Sequence, residues 1–148
     1  MEKVSVYMGA DHAGFEVKGK LRDYLESEGY NVIDLGIFTD DPADYPDIAR
    51  EVGEKVLEVK GSFGILLCGS GVGVCMAANH LKGIRAAFAN TEDLADTSRR
   101  HNNANVLTLG ARNTDFELIK KITIKFLTTA FEADQERHVR RVEKLDAL

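Results

Sequence analysis

No run of 18 apolar residues occurs anywhere in the 148-residue chain, and a membrane-spanning helix needs about that many. The opening Met1-Glu2-Lys3-Val4-Ser5-Val6-Tyr7-Met8 lacks the basic segment and long apolar run of an export signal. The expectation is a protein that neither crosses a membrane nor is exported. Basic residues are outnumbered, with 19 Lys and Arg against 24 Asp and Glu and a formal charge of −5. That balance argues against a general nucleic-acid surface, although a local basic patch can still hold a small anion. The two cysteines, Cys68 and Cys75, match no paired Cys-x-x-Cys metal spacing. A chain of this length needs no disulfide staple, so a reduced, cytoplasmic setting is expected. No repeat, low-complexity segment or linker divides the sequence, and one domain over residues 1–148 is expected.

What the chain does have is concentrated in Gly64-Ile65-Leu66-Leu67-Cys68-Gly69-Ser70-Gly71-Val72-Gly73-Val74. Ile65 to Cys68 suit a strand covered on both faces, and glycines at alternate positions let backbone approach a ligand closely. A turn of this kind that opens a helix collects unpaired N–H groups, which favour an anion and stabilise a thiolate beside them. Cys68 is therefore the leading candidate for a chemical residue. The plainer alternative is a small buried hydrophobe ending an apolar strand.

Along the chain, a β-prone run at Lys3–Met8 leads into a turn at Gly9–Gly14. A helix with Val17, Leu21, Tyr24 and Leu25 at helical spacing follows, ending near Gly29. The second strand spans Asn31–Leu35, and both prolines, Pro42 and Pro46, fall in the loop before a helix marked by Ile48, Val52 and Val56. After the glycine turn come a helix to about Leu81, a strand over Ile84–Ala89, a polar helix over about Thr91–Arg100, and a strand over Val106–Leu109. Two helices close the chain, from Thr114 and from about Asp134. Short strands alternating with helices predict an α/β class, a three-layer α/β/α sandwich around a five-stranded parallel sheet. Ligands in such folds sit beyond the carboxyl ends of the strands, which here carry Asp11 and His12, then Cys68, then Arg112.

Each of these polar residues has an ordinary reading too. Asp11 suits a helix cap, His101 after Arg99 and Arg100 suits a helix C-terminus, and Asn102, Asn103 and Asn105 suit a turn. Arg137 and Arg141 lie four residues apart on one helix face, as a solvated face or as a forked anion site.

The set taken together carries a resemblance. Gly9-Ala10-Asp11-His12-Ala13-Gly14-Phe15, Asp44-Tyr45-Pro46, the glycine turn, Ala77-Ala78-Asn79, Gly83-Ile84-Arg85-Ala86, His101-Asn102-Asn103-Ala104-Asn105-Val106 and Arg137-His138 together resemble the type B ribose 5-phosphate isomerases. They are similar to the wider group that includes galactose and allose 6-phosphate isomerases. The resemblance implies a Rossmann-like sheet, a homodimer or homotetramer with sites shared between subunits, and no metal or other cofactor. It implies an aldose–ketose isomerase for ribose and ribulose 5-phosphates, with Cys68 as the base and His101 opening the furanose ring. Asp11, His12 and Asn102 correspond to sugar contacts, and Gly69, Ser70, Gly71, Val72 and Gly73 to the cradle for the enediolate oxygens. Arg112, Arg137 and Arg141 correspond to phosphate contacts, the last two reaching a neighbour's site. Ser70 stands where most relatives have Thr, and the tail before Arg137 lacks their usual Gly-Gly.

Three other functions fit parts of the pattern. A six-carbon sugar phosphate isomerase would differ in pocket length. A dinucleotide-binding module would need Gly-x-Gly-x-x-Gly after the first strand, whereas this chain has Gly-x-Gly-x-Gly after the third. A non-catalytic sugar-phosphate sensor would bind without turnover.

Overall fold

A computed structural model describes residues 3–148. Met1 and Glu2, part of the stretch read for an export signal, lie outside the described residues. Five strands, β1 (Ser5–Ala10), β2 (Asn31–Asp34), β3 (Phe63–Cys68), β4 (Ala86–Phe88) and β5 (Val106–Gly110), form one parallel sheet in the order β2-β1-β3-β5-β4. Six helices accompany it: α1 (Phe15–Ser27), α2 (Tyr45–Glu58), α3 (Val72–Ala78), α4 (Glu92–Arg100), α5 (Phe116–Thr128) and α6 (Glu136–Asp146). This is the α/β/α sandwich that the alternation of patterns predicts, with the Rossmann-like sheet that the resemblance implies.

The layers follow from side-chain alternation along buried strands. On β3, Ile65 and Leu67 join a core with Leu21 and Leu25 of α1, Ala95 of α4 and Ile119, Ile122 and Phe126 of α5. Leu66 and Cys68 face the other way, onto Ile48, Val52 and Val56 of α2 and Val74 and Ala78 of α3. Helix α6 contributes to neither cluster. Among the described residues no helix is long and apolar enough to cross a membrane.

Several boundaries differ from the sequence expectation, each for a local reason. Gly9 and Ala10 belong to β1 rather than to a turn, in register with Leu66 and Leu67, and the Ala10 N–H donates to Gly36 O at 2.9 Å. Helix α2 starts at Tyr45, so Pro46 lies in its first turn, where a missing N–H costs nothing. Helix α3 stops at Ala78 because the Asn79 side chain pairs with Ala86, accepting its N–H at 2.8 Å and donating to its carbonyl at 3.0 Å. Helix α5 starts at Phe116 because Asp115 caps it, accepting the Glu117 N–H at 3.1 Å.

The sheet order places a reversal of winding between β1 and β3. From β1 the chain moves outward to β2, and then returns to build β3, β5 and β4 on the other side. A crevice opens beyond the strand ends at such a point.

Candidate active site

Cys68 is the last residue of β3 and only 5% exposed. Its Sγ accepts the Gly71 N–H at 3.2 Å. That geometry depends on Gly71, whose φ is +81° and where an added Cβ would stand 2.7 Å from the Leu109 carbonyl carbon. The turn is tied down from β5, where the buried Thr108 hydroxyl donates to Gly71 O at 2.8 Å. Ser70 Oγ accepts the Val72 N–H at 3.2 Å and so fixes the entry to α3.

Beside the turn, the segment after β5 is laced to the end of β3. The Ala111 N–H donates to Cys68 O at 2.9 Å and the Arg112 N–H to Gly69 O at 3.0 Å. The Arg112 side chain lies directly over Gly69, where an added Cβ would come within 3.3 Å of Arg112 Cδ. From β1, the Asp11 N–H donates to Leu67 O at 3.3 Å. Asp11 Oδ1 accepts the Ala13 and Gly14 N–H groups at 3.0 and 3.2 Å, so it ties the turn before α1 instead of capping the helix, whose N-cap is Gly14 with no side-chain cap bond. His12 Nδ1 accepts the Ala43 N–H at 3.2 Å, which puts the proton of the neutral ring on Nε2.

These groups surround a cavity of about 490 Å³, with Asp11, His12, Cys68, Gly69, Ser70, Gly73 and Arg112 in its lining. Gly71 and Val72 are in the same turn but not in the lining. Three lining residues, Ala13, Tyr45 and Asn113, are not among the candidates from the sequence, although Ala13 and Tyr45 stand in the motifs that carry the resemblance. Tyr45 lies so close to the turn that a Cβ on Gly73 would stand 2.9 Å from its ring. The Tyr-Pro pair at the start of α2 was the available signal for it.

The remaining candidates are not in that lining. His101 caps the C-terminus of α4, and its ring stacks on His138 with centroids 4.4 Å apart and planes 17° apart. Glu132 Oε1 lies 3.4 Å from His101 Nε2, 3.8 Å from His138 Nε2 and 3.4 Å from Arg100 Nη1. His138 is 5% exposed, and burial, followed by the positive charges of neighbouring groups, lowers its pKa below the usual histidine value. Arg137, on the same helix, donates to Gln135 Oε1 at 2.8 Å, and Arg141 adds to the positive field on His138. Asn102 lines a second cavity of about 470 Å³ together with Arg85, Leu145 and Asp146.

Two buried cations hold these parts in place. Arg99 donates to Thr129 O at 3.1 Å, Asn103 Oδ1 at 2.9 Å and Ala104 O at 2.6 Å, and lies against the rings of Phe63 and Phe126. Burial, with a smaller contribution from Arg85, lowers its pKa to about 10, so it remains a cation at neutral pH. Lys18, 1% exposed, donates from Nζ to Asp34 Oδ1 at 2.7 Å and Ile37 O at 2.6 Å, joining α1 to the end of β2.

The family model described as Ribose/Galactose Isomerase matches residues 6–145. The probable ribose-5-phosphate isomerase B of Mycoplasma genitalium is 44% identical, over 95% of this chain and 93% of its own length. Among solved structures, the ribose 5-phosphate isomerase of Thermotoga maritima superposes with a TM-score of 0.94 at 43% identity, covering 98% of this chain and 99% of that one. The Mycoplasma genitalium enzyme with bound ribulose 5-phosphate gives 0.92 at 39%, covering 99% and 97%.

Proposed function

This chain belongs to the ribose/galactose isomerase family, and on that premise we propose that it interconverts ribose 5-phosphate and ribulose 5-phosphate through an enediolate, without metal or other cofactor. The observation that carries this reading is the buried Cys68 thiol, held by the Gly71 N–H beside a cavity that also presents His12 and Arg112.

The reaction divides into steps that these residues suit. Ring opening breaks the C1–O4 bond, forms the C1 carbonyl, and moves a proton from O1 to O4, a task for His101. Cys68, as thiolate, takes the proton from C2, and the electron pair passes to the carbonyl oxygen to give the enediolate. Backbone amides of the Gly69–Gly73 turn receive that developing charge, where loss of one donor commonly costs about 3 kcal/mol. A proton passes from O2 to O1, and return of the abstracted proton to C1 as the C2 carbonyl forms completes the ketose. Asp11, His12 and Asn102 hold sugar hydroxyls, and Arg112, Arg137 and Arg141 hold the phosphate and orient the reacting carbons.

His101, Asn102, Arg137 and Arg141 are on other elements than the Cys68 cavity, so the complete site is assembled from two copies of the chain. The second copy supplies His101 and the α6 arginines. This arrangement agrees with α6, which packs into neither core cluster and leaves Leu145 half exposed. Whether the assembly is a dimer or a tetramer, the contact between two copies is the functional unit.

The test is proton NMR of ribose 5-phosphate with the protein in deuterated buffer containing a chelator. Ribulose 5-phosphate with deuterium incorporated, formed by the parent and lost in Cys68→Ala, is the expected result. A parent that forms no ribulose 5-phosphate overturns the proposal.

A further inference from the structure

The convergence of His101, Glu132 and His138 is more than the isomerase reading uses. Their ligand-type atoms all lie within 4.8 Å of one another, and the buried His138 Nε2 has no hydrogen-bond partner. Two observations argue against a cation there. The imidazole planes are stacked and nearly parallel, so their in-plane lone pairs run side by side instead of meeting at one point. Arg100 Nη1 also lies 3.3 Å from His101 Nε2, and a second cation would be repelled. The cluster is arranged to control a proton.

We propose that Glu132 is a positioning residue for ring opening: its carboxylate, 3.4 Å from both His101 Nε2 and Arg100 Nη1, offsets the guanidinium charge at that edge of the ring and keeps Nδ1 free to exchange a proton with the sugar. The inference rests on the reading of His101 given above. Glu132 is itself anchored, because its N–H donates to Arg100 O at 3.0 Å, tying the segment before α6 to the end of α4. A carboxylate beside one edge of an imidazole stabilises the ring when it takes up a proton. His138 backs the ring as a neutral plate. Because burial disfavours its charged form, His101 passes through its cationic state without a second imidazolium stacked upon it. In ring opening, the proton His101 takes from O1 is the one it delivers to O4 as the C1–O4 bond breaks, so the step needs no other reactant.

The experiment separates ring opening from enolisation. Ribulose 5-phosphate has its C5 oxygen occupied by the phosphoryl group and cannot close a furanose ring, so solvent-deuterium exchange at its C1 reports enolisation alone. Conversion of ribose 5-phosphate needs both steps. Glu132→Gln is expected to lower kcat on ribose 5-phosphate by about tenfold to a hundredfold, the cost of a misplaced catalytic group, while C1 exchange stays within about twofold. Its isotope effect with deuterium at C2 of ribose 5-phosphate should fall toward one, because ring opening then limits the rate. Glu132→Asp should recover most of the loss.

Equal losses in both assays, an undiminished isotope effect, or unchanged conversion by Glu132→Gln would overturn the role of Glu132. His101→Asn separates that failure from failure of the underlying reading. If His101→Asn loses conversion and exchange alike, His101 does not act in ring opening and both readings fall. If it loses conversion selectively while Glu132→Gln does not, only the Glu132 assignment falls.

Discussion

Cys68 and Gly71 act as one unit, since the sulfur at the end of β3 is held by an amide that only a left-handed backbone delivers. Cys68→Ala should lower turnover of ribose 5-phosphate by at least about 10²-fold, the usual range for a lost general base, with little change in the urea midpoint. Gly71→Ala should affect both properties. A Cβ there meets the backbone of β5, and a left-handed residue with a side chain costs about 1–2 kcal/mol before any clash. A lower urea midpoint together with loss of turnover is expected, and a variant as stable as the parent would contradict this. Both residues were legible in the sequence, because an apolar strand, a terminal thiol and alternating glycines form a local pattern. Tyr45 was less so, since its approach to Gly73 is set by the packing of α2 against α3, a long-range fact.

At the scale of elements, two buried cations position the loops that carry the chemistry. Lys18 joins α1 to the end of β2, and its partner Asp34 also accepts from Arg22 Nη1 at 3.0 Å. Lys18→Met leaves the Asp34 carboxylate without its buried partner and should cost about 3–5 kcal/mol in urea unfolding; a loss under about 1 kcal/mol would place the ion pair among the weak surface kind. Arg99 holds the segment from His101 to Asn105 through Asn103 and Ala104, and Arg85 Nε donates to Asn103 O at 2.8 Å. Neither cation stood out by sequence. Lys18 occupies an ordinary helical position, and Arg99 reads as a charge suited to a helix C-terminus. Their burial becomes visible only when β2 and α5 are packed beside them. Strand ends were misplaced for the same reason: Gly9 and Ala10 look like turn residues until β3 supplies their partners.

At the scale of the whole molecule, α6 is the element least accounted for by one copy of the chain. His138 and Val142 are its buried residues, and the stacking of His138 on His101 was not legible, because the path from α5 to α6 has no periodic signal. This stacking has a pH consequence. Burial and neighbouring charge lower the His138 pKa in the folded state. Between the ordinary value of about 6.5 and that lowered value the unfolded chain therefore binds more protons, so stability falls as pH falls through about 6.5. The urea midpoint of the parent should drop between about pH 7.5 and pH 5 more than that of His138→Gln; equal drops would contradict the sign.

The measurement that tests the account most directly is complementation between two inactive variants. Cys68→Ala and His101→Asn, each lacking turnover of ribose 5-phosphate alone, are co-expressed and purified as mixed assemblies. If each site takes Cys68 from one copy and His101 from another, a mixed pair contains one intact site, and random pairing of equal amounts restores about a quarter of the parental sites. Activity that stays at the level of the separate variants, in assemblies shown to be mixed, would contradict the shared site.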